Sequence, residues 1–185
     1  MPIINITAYS LAFLLIIFSH NLRAEASEYQ IELIAFAQTM PDTEVFDQTE
    51  SQIKWPAALT ELAELKHSER GVLDGGYAAI SKVPAYRPVL HIAWIQSIGE
   101  NNPGAPVHIK SEDGQLNGYL QIQRGKTLQL LVDLEYTPGQ RDSSVNSFYS
   151  EPVIYRLNQK QPIQLNEIYY LDHPKFGVIA TIKRL

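Results

Sequence analysis

The 185-residue sequence contains no cysteine, which excludes disulfide bonds, thiolate nucleophiles and zinc ribbons. It also excludes attachment of a lipid through a lipobox cysteine. Basic residues are scarce, because 15 lysines and arginines stand against 20 aspartates and glutamates and leave a net charge of −5. Binding to a phosphate backbone depends on clustered positive charge. We therefore expect no nucleic acid among the partners of this protein.

Long apolar runs are also lacking, apart from one near the start of the chain, at residues 8–18. This run is well short of the roughly 20 residues that a helix needs to cross a bilayer, so we expect no stable membrane span. Ala24 and Ala26 then supply the small residues of a cleavage site. The sequence predicts a cleavable signal peptide at residues 1–26, although residues 1–10 lack the usual Lys or Arg. The product is expected in the periplasm or outside the cell.

The remaining residues, 27–185, are predicted to form a single domain, since a chain that is 45% hydrophobic and 19% charged is typical of one globular unit. Residues 29–37 are apolar on both alternating faces, which predicts a strand in the centre of a sheet. Residues 55–66 have apolar positions at helical spacing after Pro56, and this favours a short amphipathic helix. A second short helix is expected at residues 73–82, before Pro84.

From residue 86 onward the hydrophobic period changes from helical to twofold. The clearest signal is an antiparallel hairpin, in which residues 118–123 and 127–136 flank a short loop containing Gly125. Further strands are expected at residues 86–96, 107–110, 152–157, 165–171 and 176–183. The predicted fold class is therefore α+β: a mainly antiparallel sheet of about six strands, with two short helices in the N-terminal half.

One pair of carboxylates has the spacing of a glycosidase site. Asp133 and Glu135 project from the same strand face, roughly 7 Å apart by the strand rise. A cell-wall hydrolase would use them as acid and base. The competing interpretation is a solvated polar face, because the sequence shows no apolar pocket that would raise the pKa of either group.

Neither a catalytic dyad nor a metal site is indicated by the histidines. Asp172 and His173 are adjacent on a predicted strand and therefore point to opposite faces. We expect His173 to form part of a tight turn with Pro174, its imidazole bonded to backbone carbonyls. His67, His91 and His108 share no metal-ligand spacing, so no metal and no cofactor are predicted.

Aromatic residues are the more suggestive feature, because flat rings on strands can stack on sugar rings or simply pack the core. Tyr169 and Tyr170 must face opposite ways, so at most one of them belongs to a given surface. Basic side chains could meet carboxylates of a peptide or sugar acid. The predicted basic contacts are Arg124, Lys126, Arg156 and Lys160. The predicted ligand-binding residues are Trp94, Gln96, Tyr155, Arg156, Tyr170 and His173.

Six stretches of the chain, taken together in order and spacing, resemble the CsiV family. The C-terminal Leu-Asp-His-Pro-x-Phe-Gly stretch, residues 171–177, is the most specific of them. The resemblance departs from the family pattern at three places, Gln129, Gln161-Pro162 and Ile168, where histidine or basic residues are usual. The stretches that carry it are residues 29–36, 86–96, 124–128, 155–157, 167–174 and 176–178.

The resemblance implies a non-enzymatic periplasmic protein of Gram-negative bacteria that binds peptidoglycan. It further implies support of cell-wall assembly and cell shape, through an outer-membrane lipoprotein that activates a penicillin-binding synthase. The residues themselves leave two alternatives open. One is a cell-wall glycan hydrolase that uses Asp133 and Glu135, and the other is a protein-interaction subunit that makes no contact with glycan.

Overall fold

The computed structural model describes residues 26–39, 48–99, 103–139 and 153–185, so the predicted signal peptide lies almost wholly outside the described residues. Within these ranges the protein is mainly β, with nine strands in two antiparallel sheets and one α-helix. The elements are β1 Ser27–Gln38, a 3₁₀ turn Leu62–Glu64, β2 Lys66–His67, α1 Asp74–Ile80, β3 Tyr86–Ile98, β4 Val107–Lys110, β5 Leu116–Arg124, β6 Leu128–Tyr136, β7 Tyr155–Ile163, β8 Ile168–His173 and β9 Phe176–Arg184.

The five-stranded sheet has the order β2-β3-β1-β9-β8, and the four-stranded sheet has the order β4-β5-β6-β7. Strand β1 is central, as predicted, with Ile31 paired to Trp94 on one side and to Ile182 on the other. The main core contains buried side chains from both sheets, so the sheets pack face to face as a sandwich. Each sheet therefore has one face turned toward the core and one turned away from it.

The predicted hairpin is confirmed as β5 and β6, paired from Leu116↔Tyr136 to Arg124↔Leu128. Its core-facing positions are buried except for Arg124 and Leu128 beside the turn, in agreement with the twofold hydrophobic pattern. Gly118 is required here for two reasons. It has a φ of 149°, and a Cβ at this position would lie 2.2 Å from the backbone oxygen of Asp133.

The helix predicted at residues 55–66 is wrong. The backbone there is extended: Thr60 N donates to Pro106 O at 2.9 Å, and His108 N donates to Thr60 O at 2.9 Å. These bonds pair Thr60 with the edge of β4, and only Leu62–Glu64 form a 3₁₀ turn, with no buried residue. Tertiary pairing with the sheet edge therefore overrides the local helical spacing.

The second predicted helix is confirmed as α1, although it is shorter than residues 73–82. Leu73 and Ile80 are buried against Ile34 and Phe36, on the face of the five-stranded sheet that points away from the main core. The fold class is therefore corrected from two helices and about six strands to one helix and nine strands within the described ranges. Among the nine, the two-residue β2 falls at none of the predicted strand positions, because a strand this short shows no sequence period.

Candidate functional site

Two of the predicted ligand residues, Trp94 and Gln96, lie between the sheets and not on a surface. Their exposed fractions are 0% and 4%. The indole N–H of Trp94 donates to Gln96 Oε1 at 3.4 Å, and Gln96 Nε2 donates to the Ala105 carbonyl at 2.6 Å. The pair satisfies buried polar groups in the core, which native interiors require. Neither side chain offers an exposed face to a ligand.

Arg156 lies on the polar face, which we define as the side of the four-stranded sheet that is turned away from the core. The register aligns its side chains in rows across the strands. Arg156 donates through Nε to Asp133 Oδ1 at 2.8 Å and through Nη2 to Asp133 Oδ2 at 2.9 Å. This bidentate pair raises the pKa of Arg156 further above its ordinary value. The face carries Asn117, Tyr119, Gln121, Gln123, Gln129, Asp133, Glu135, Arg156 and Lys160.

The two predicted carboxylates do share this face, but the solvated polar interpretation is wrong, because Asp133 and Glu135 are 1% and 6% exposed. Glu135 Oε1 accepts hydrogen bonds from Gln48 Nε2 at 2.9 Å and from the Gln52 backbone N–H at 2.7 Å. Residues 48–52 therefore cover this end of the polar face. Asp133 is engaged on both oxygens by Arg156. Both carboxylates therefore hold protein groups, and both are buried.

An aromatic cluster lies beside these two carboxylates, and its tryptophan, Trp55, was missed in the sequence analysis. The Trp55 ring packs edge-on against His108, with centroids 5.6 Å apart, and 6.2 Å from Tyr119. Burial and the nearby Asp133 carboxylate raise the pKa of Tyr119. The sequence did contain a signal against the predicted helix. Pro56 biases the backbone of the preceding residue, Trp55, toward an extended conformation and away from a helical start.

Side-chain amides continue the polar face toward the β5–β6 turn. Lys160 Nζ donates to Gln123 Oε1 at 2.7 Å, Gln123 Nε2 donates to Gln121 Oε1 at 2.8 Å, and Gln121 Nε2 donates to the Gly104 carbonyl at 2.8 Å. An open depression of about 320 Å³ follows, lined by Pro103, Gln123, Arg124, Gly125, Lys126, Thr127 and Gln129. Three of the four predicted basic contacts, Arg124, Lys126 and Lys160, therefore lie at this end.

The remaining predicted residues, Tyr155, Tyr170 and His173, lie where β7 begins and β8 ends. Tyr155 and His173 have ring centroids 5.7 Å apart. His173 Nδ1 accepts from the Lys175 backbone N–H at 3.2 Å, so its imidazole caps the turn with Pro174 through this contact. The six predicted ligand residues are therefore divided among the core, the polar face and this end of the sandwich.

Tyr170 is the most exposed of them, at 53%, and it faces the opposite way from Tyr169, as the strand period predicts. Its ring stacks on Phe36 at 6.2 Å, which is possible because Gly177 beneath it has no side chain. Its hydroxyl donates to Asp172 Oδ1 at 2.7 Å. Burial and this carboxylate raise the pKa of the phenol above its ordinary value. Asp172 Oδ1 thus serves Tyr170, and it also accepts from Gln38 Nε2 at 3.0 Å.

A further buried carboxylate, Glu32, lies on the outward side of the five-stranded sheet. Its oxygens accept the backbone N–H groups of residues 71–73 at 3.0 to 3.2 Å and lie 2.8 Å from His91 Nε2. Asp74 could complete a set of three metal-ligating side chains. A cation would have to displace the three N–H donors, which are repelled by positive charge. The cluster therefore fits a clamp on the loop better than a metal site.

Over the described ranges the protein is thus a two-sheet antiparallel β structure with one polar, aromatic-flanked sheet face. In the part of the chain that the structure describes, no helix has the length and apolarity to cross a bilayer. The chain belongs to the CsiV family, described as peptidoglycan-binding protein, whose family model matches residues 61–185. The resemblance found in the sequence is confirmed. Searches of curated proteins and of solved structures gave no match.

Proposed function

We propose that this protein binds peptidoglycan in the periplasm and performs no covalent chemistry. The observation that carries the proposal is membership of the CsiV family over 125 of the 185 residues. Residues 1–26 direct export and are removed, and residues 27–185 act as a single binding domain. The protein supports cell-wall assembly by assisting an outer-membrane lipoprotein that activates a penicillin-binding synthase.

The polar face is the surface whose chemistry fits this polymer. Peptidoglycan offers hydroxyl and N-acetyl groups on its sugars and carboxylates on its stem peptides. Side-chain amides such as Gln121 and Gln123 both donate and accept hydrogen bonds, and Lys160 supplies positive charge beside them. The depression near Arg124 and Lys126 continues this surface. A molecule with a net charge of −5 therefore concentrates cations where an acidic peptide can dock.

The predicted ligand residues have unequal roles in this proposal. Arg156 contributes to the polar face, held in place by Asp133. Tyr155, Tyr170 and His173 provide a second contact region at the end of the sandwich, of which Tyr170 is the exposed part. Trp94 and Gln96 act indirectly, by packing the two sheets against each other beneath the ligand surface.

Hydrolysis by Asp133 and Glu135 is the weaker proposal because of the geometry of their contacts. A glycosidase needs one carboxyl group that donates a proton and another that faces the sugar or a water molecule. Here Asp133 accepts from a guanidinium on both oxygens, while Glu135 accepts from an amide and a backbone N–H. These donors occupy both oxygens of Asp133 and Oε1 of Glu135, and they hold each carboxylate against a protein group instead of a sugar or a water molecule.

A sacculus pull-down with product analysis tests the proposal. Protein expressed from the full sequence is mixed with purified sacculi at physiological salt, and we expect it to sediment with them without releasing soluble muropeptides. Lys160→Glu should weaken retention about fivefold, because it places a negative charge where stem-peptide carboxylates dock. Lys183→Glu makes the same charge change on an exposed residue of the other sheet and is the matched control.

Two results would contradict the proposal. Recovery of all the wild-type protein in the supernatant would remove peptidoglycan as the ligand. Muropeptide release that Glu135→Gln abolishes would replace the binding function with a hydrolase. Equal retention of the Lys160→Glu and Lys183→Glu variants would leave the function intact but move the ligand away from the polar face.

A further inference from the structure

We propose that Trp55 is a stacking platform for a sugar ring of the glycan strand. This inference rests on the proposed peptidoglycan binding and assigns its glycan contact to one side chain. Trp55 was not among the predicted ligand residues, and it lies before residues 61–185, the region that the family model matches. It is one of two tryptophans in the chain, and the two differ completely in exposure, at 45% for Trp55 and 0% for Trp94.

Packing in the hydrophobic core does not account for the position of Trp55. Trp55 belongs to neither of the two hydrophobic clusters of the described residues, whereas Trp94 lies at the centre of the main one. An indole that is large, half exposed and outside the core is the kind of side chain that proteins use to contact ligands, because one face is apolar and the ring N–H is polar.

Trp55 is nevertheless held in place, which is what a stacking platform requires. Two residues before it, Ile53 is 9% exposed, and five residues after it, Thr60 is hydrogen-bonded to the edge of β4. The backbone N–H of Gln52 is fixed by the buried Glu135. The ring itself meets the edge of His108 and the ring of Tyr119. A platform ordered before binding loses little conformational entropy when the ligand arrives.

The groups around the platform favour a glycan over an apolar partner. His108, which packs against the indole of Trp55, lies 2.9 Å from Glu61 Oε1 through Nδ1 and 2.8 Å from Asn117 Oδ1 through Nε2. Polar side chains therefore border the indole on this side. From Tyr119 to Gln123 the strand extends about 13 Å at 3.3 Å per residue. A linear sugar polymer stacked on Trp55 and laid along β5 would therefore reach the amides of Gln121 and Gln123.

Tryptophan fluorescence tests the inference directly, because Trp94 is inaccessible and serves as an internal reference. Glycan strands stripped of stem peptides by an amidase are titrated into the full-length protein in the presence of acrylamide. We expect the strands to protect Trp55 from quenching and to shift its emission. Trp55→Ala should weaken binding to the stripped strands about tenfold, since stacking on an aromatic ring depends on its face.

Matched variants separate stacking from folding. Trp55→Phe keeps a smaller ring and should retain most of the affinity. Val72→Ala alters another exposed apolar side chain, 54% exposed and beside α1 on the five-stranded sheet, and should bind as the wild type does. Unchanged Trp94 emission in Trp55→Ala would show that the core remains intact.

The outcomes distinguish this inference from the function on which it rests. If wild-type protein binds intact sacculi, but Trp55→Ala binds equally and quenching is unchanged, the platform is refuted and peptidoglycan binding stands. Binding to sacculi without binding to stripped strands would assign recognition to the stem peptide and also refute the platform. Failure of the wild type to bind sacculi would refute the function itself.

Discussion

The outward faces of the two sheets differ in composition and in what covers them. On the five-stranded sheet the outward face is partly apolar, and Leu73 and Ile80, at the two ends of α1, close over Ile34 and Phe36. On the four-stranded sheet the outward face carries amides and charged groups; residues 48–52 cover its end near Glu135, and Trp55 packs against Tyr119. The first face is covered over Ile34 and Phe36 by α1 but leaves Tyr170 exposed at its β8 edge, whereas the second is lined by polar side chains.

Each sheet nevertheless has a buried glutamate on its outward side, and the two glutamates have the same structural role. Glu32 holds the loop at residues 71–73, and Glu135 holds the segment at residues 48–52. In both cases backbone N–H groups without partners in a strand or helix are satisfied by an acceptor from the sheet. Glu32 and Glu135 are therefore fasteners for the segments that cover the sheets, whereas the third buried carboxylate of the described residues, Asp133, holds Arg156.

The largest effect is expected from Glu32→Ala, which should lower the free energy of unfolding by about 4 kcal/mol. Removing the carboxylate leaves three backbone N–H groups and His91 without their acceptor in a buried site. Urea denaturation measures the loss. Glu28→Ala, an exposed change on the same strand, is the control and should fall within about 0.5 kcal/mol of the wild type. Equal stability of the two variants would contradict the fastening role.

A second test compares one glycine from each sheet. Gly118→Ala should cost about 3 kcal/mol, because it combines a φ of 149° with a Cβ that would meet the backbone of Asp133. At Gly177 an added Cβ would meet the ring of Phe36 at 2.6 Å, and a ring can shift where a backbone cannot. We expect Gly177→Ala to cost about 2 kcal/mol. A larger loss for Gly177→Ala in thermal unfolding would reverse this ranking.

The ion pair on the polar face should contribute less than Glu32 does. Asp133→Ala is expected to cost about 2 kcal/mol, because Arg156 keeps 19% of its side-chain exposure and can be hydrated when its partner is removed. A double-mutant cycle with Arg156→Ala isolates the coupling between the two side chains. A coupling near zero would mean that the bidentate contact does not fix Arg156 on this face.

The smallest effect concerns acid stability at the turn between β4 and β5. The Ser111 hydroxyl donates to Asp113 at 2.6 Å and lowers the pKa of that carboxyl. A lowered pKa in the folded state stabilises the protein above the unfolded value of about 3.9 and loses that contribution as the pH falls through the folded value. Asp113→Asn should therefore show a slightly smaller drop in urea midpoint between pH 6 and pH 3. An identical drop would contradict the assignment.

Sequence reasoning succeeded where a local pattern and the fold agree. The β5–β6 hairpin follows from alternation around a short loop, and the central position of β1 follows from apolar residues on both faces. The opposite orientations of Tyr169 and Tyr170 follow from the same period. In each case the information lies within about ten residues of chain, so the pattern alone is sufficient.

Reasoning failed where distant segments compete with local preference. The spacing at residues 55–66 favours a helix, but Thr60 finds backbone partners on β4. Trp94 was predicted to lie on a strand surface and contact a ligand, but it is buried where the two sheets pack together. Asp133 and Glu135 were placed on the correct strand face, yet the segment that buries Glu135 comes from more than 80 residues away in the sequence.

The sequence by itself determined the family, the alternation of most strands and the face on which each strand side chain lies. Only the tertiary structure decided which of those faces is covered. The physical reason is that a strand period fixes direction within a sheet, whereas burial depends on which remote segment supplies hydrogen bonds and apolar surface to that face. That distinction separates Trp94, enclosed between the sheets, from Trp55, which remains exposed beside the polar face.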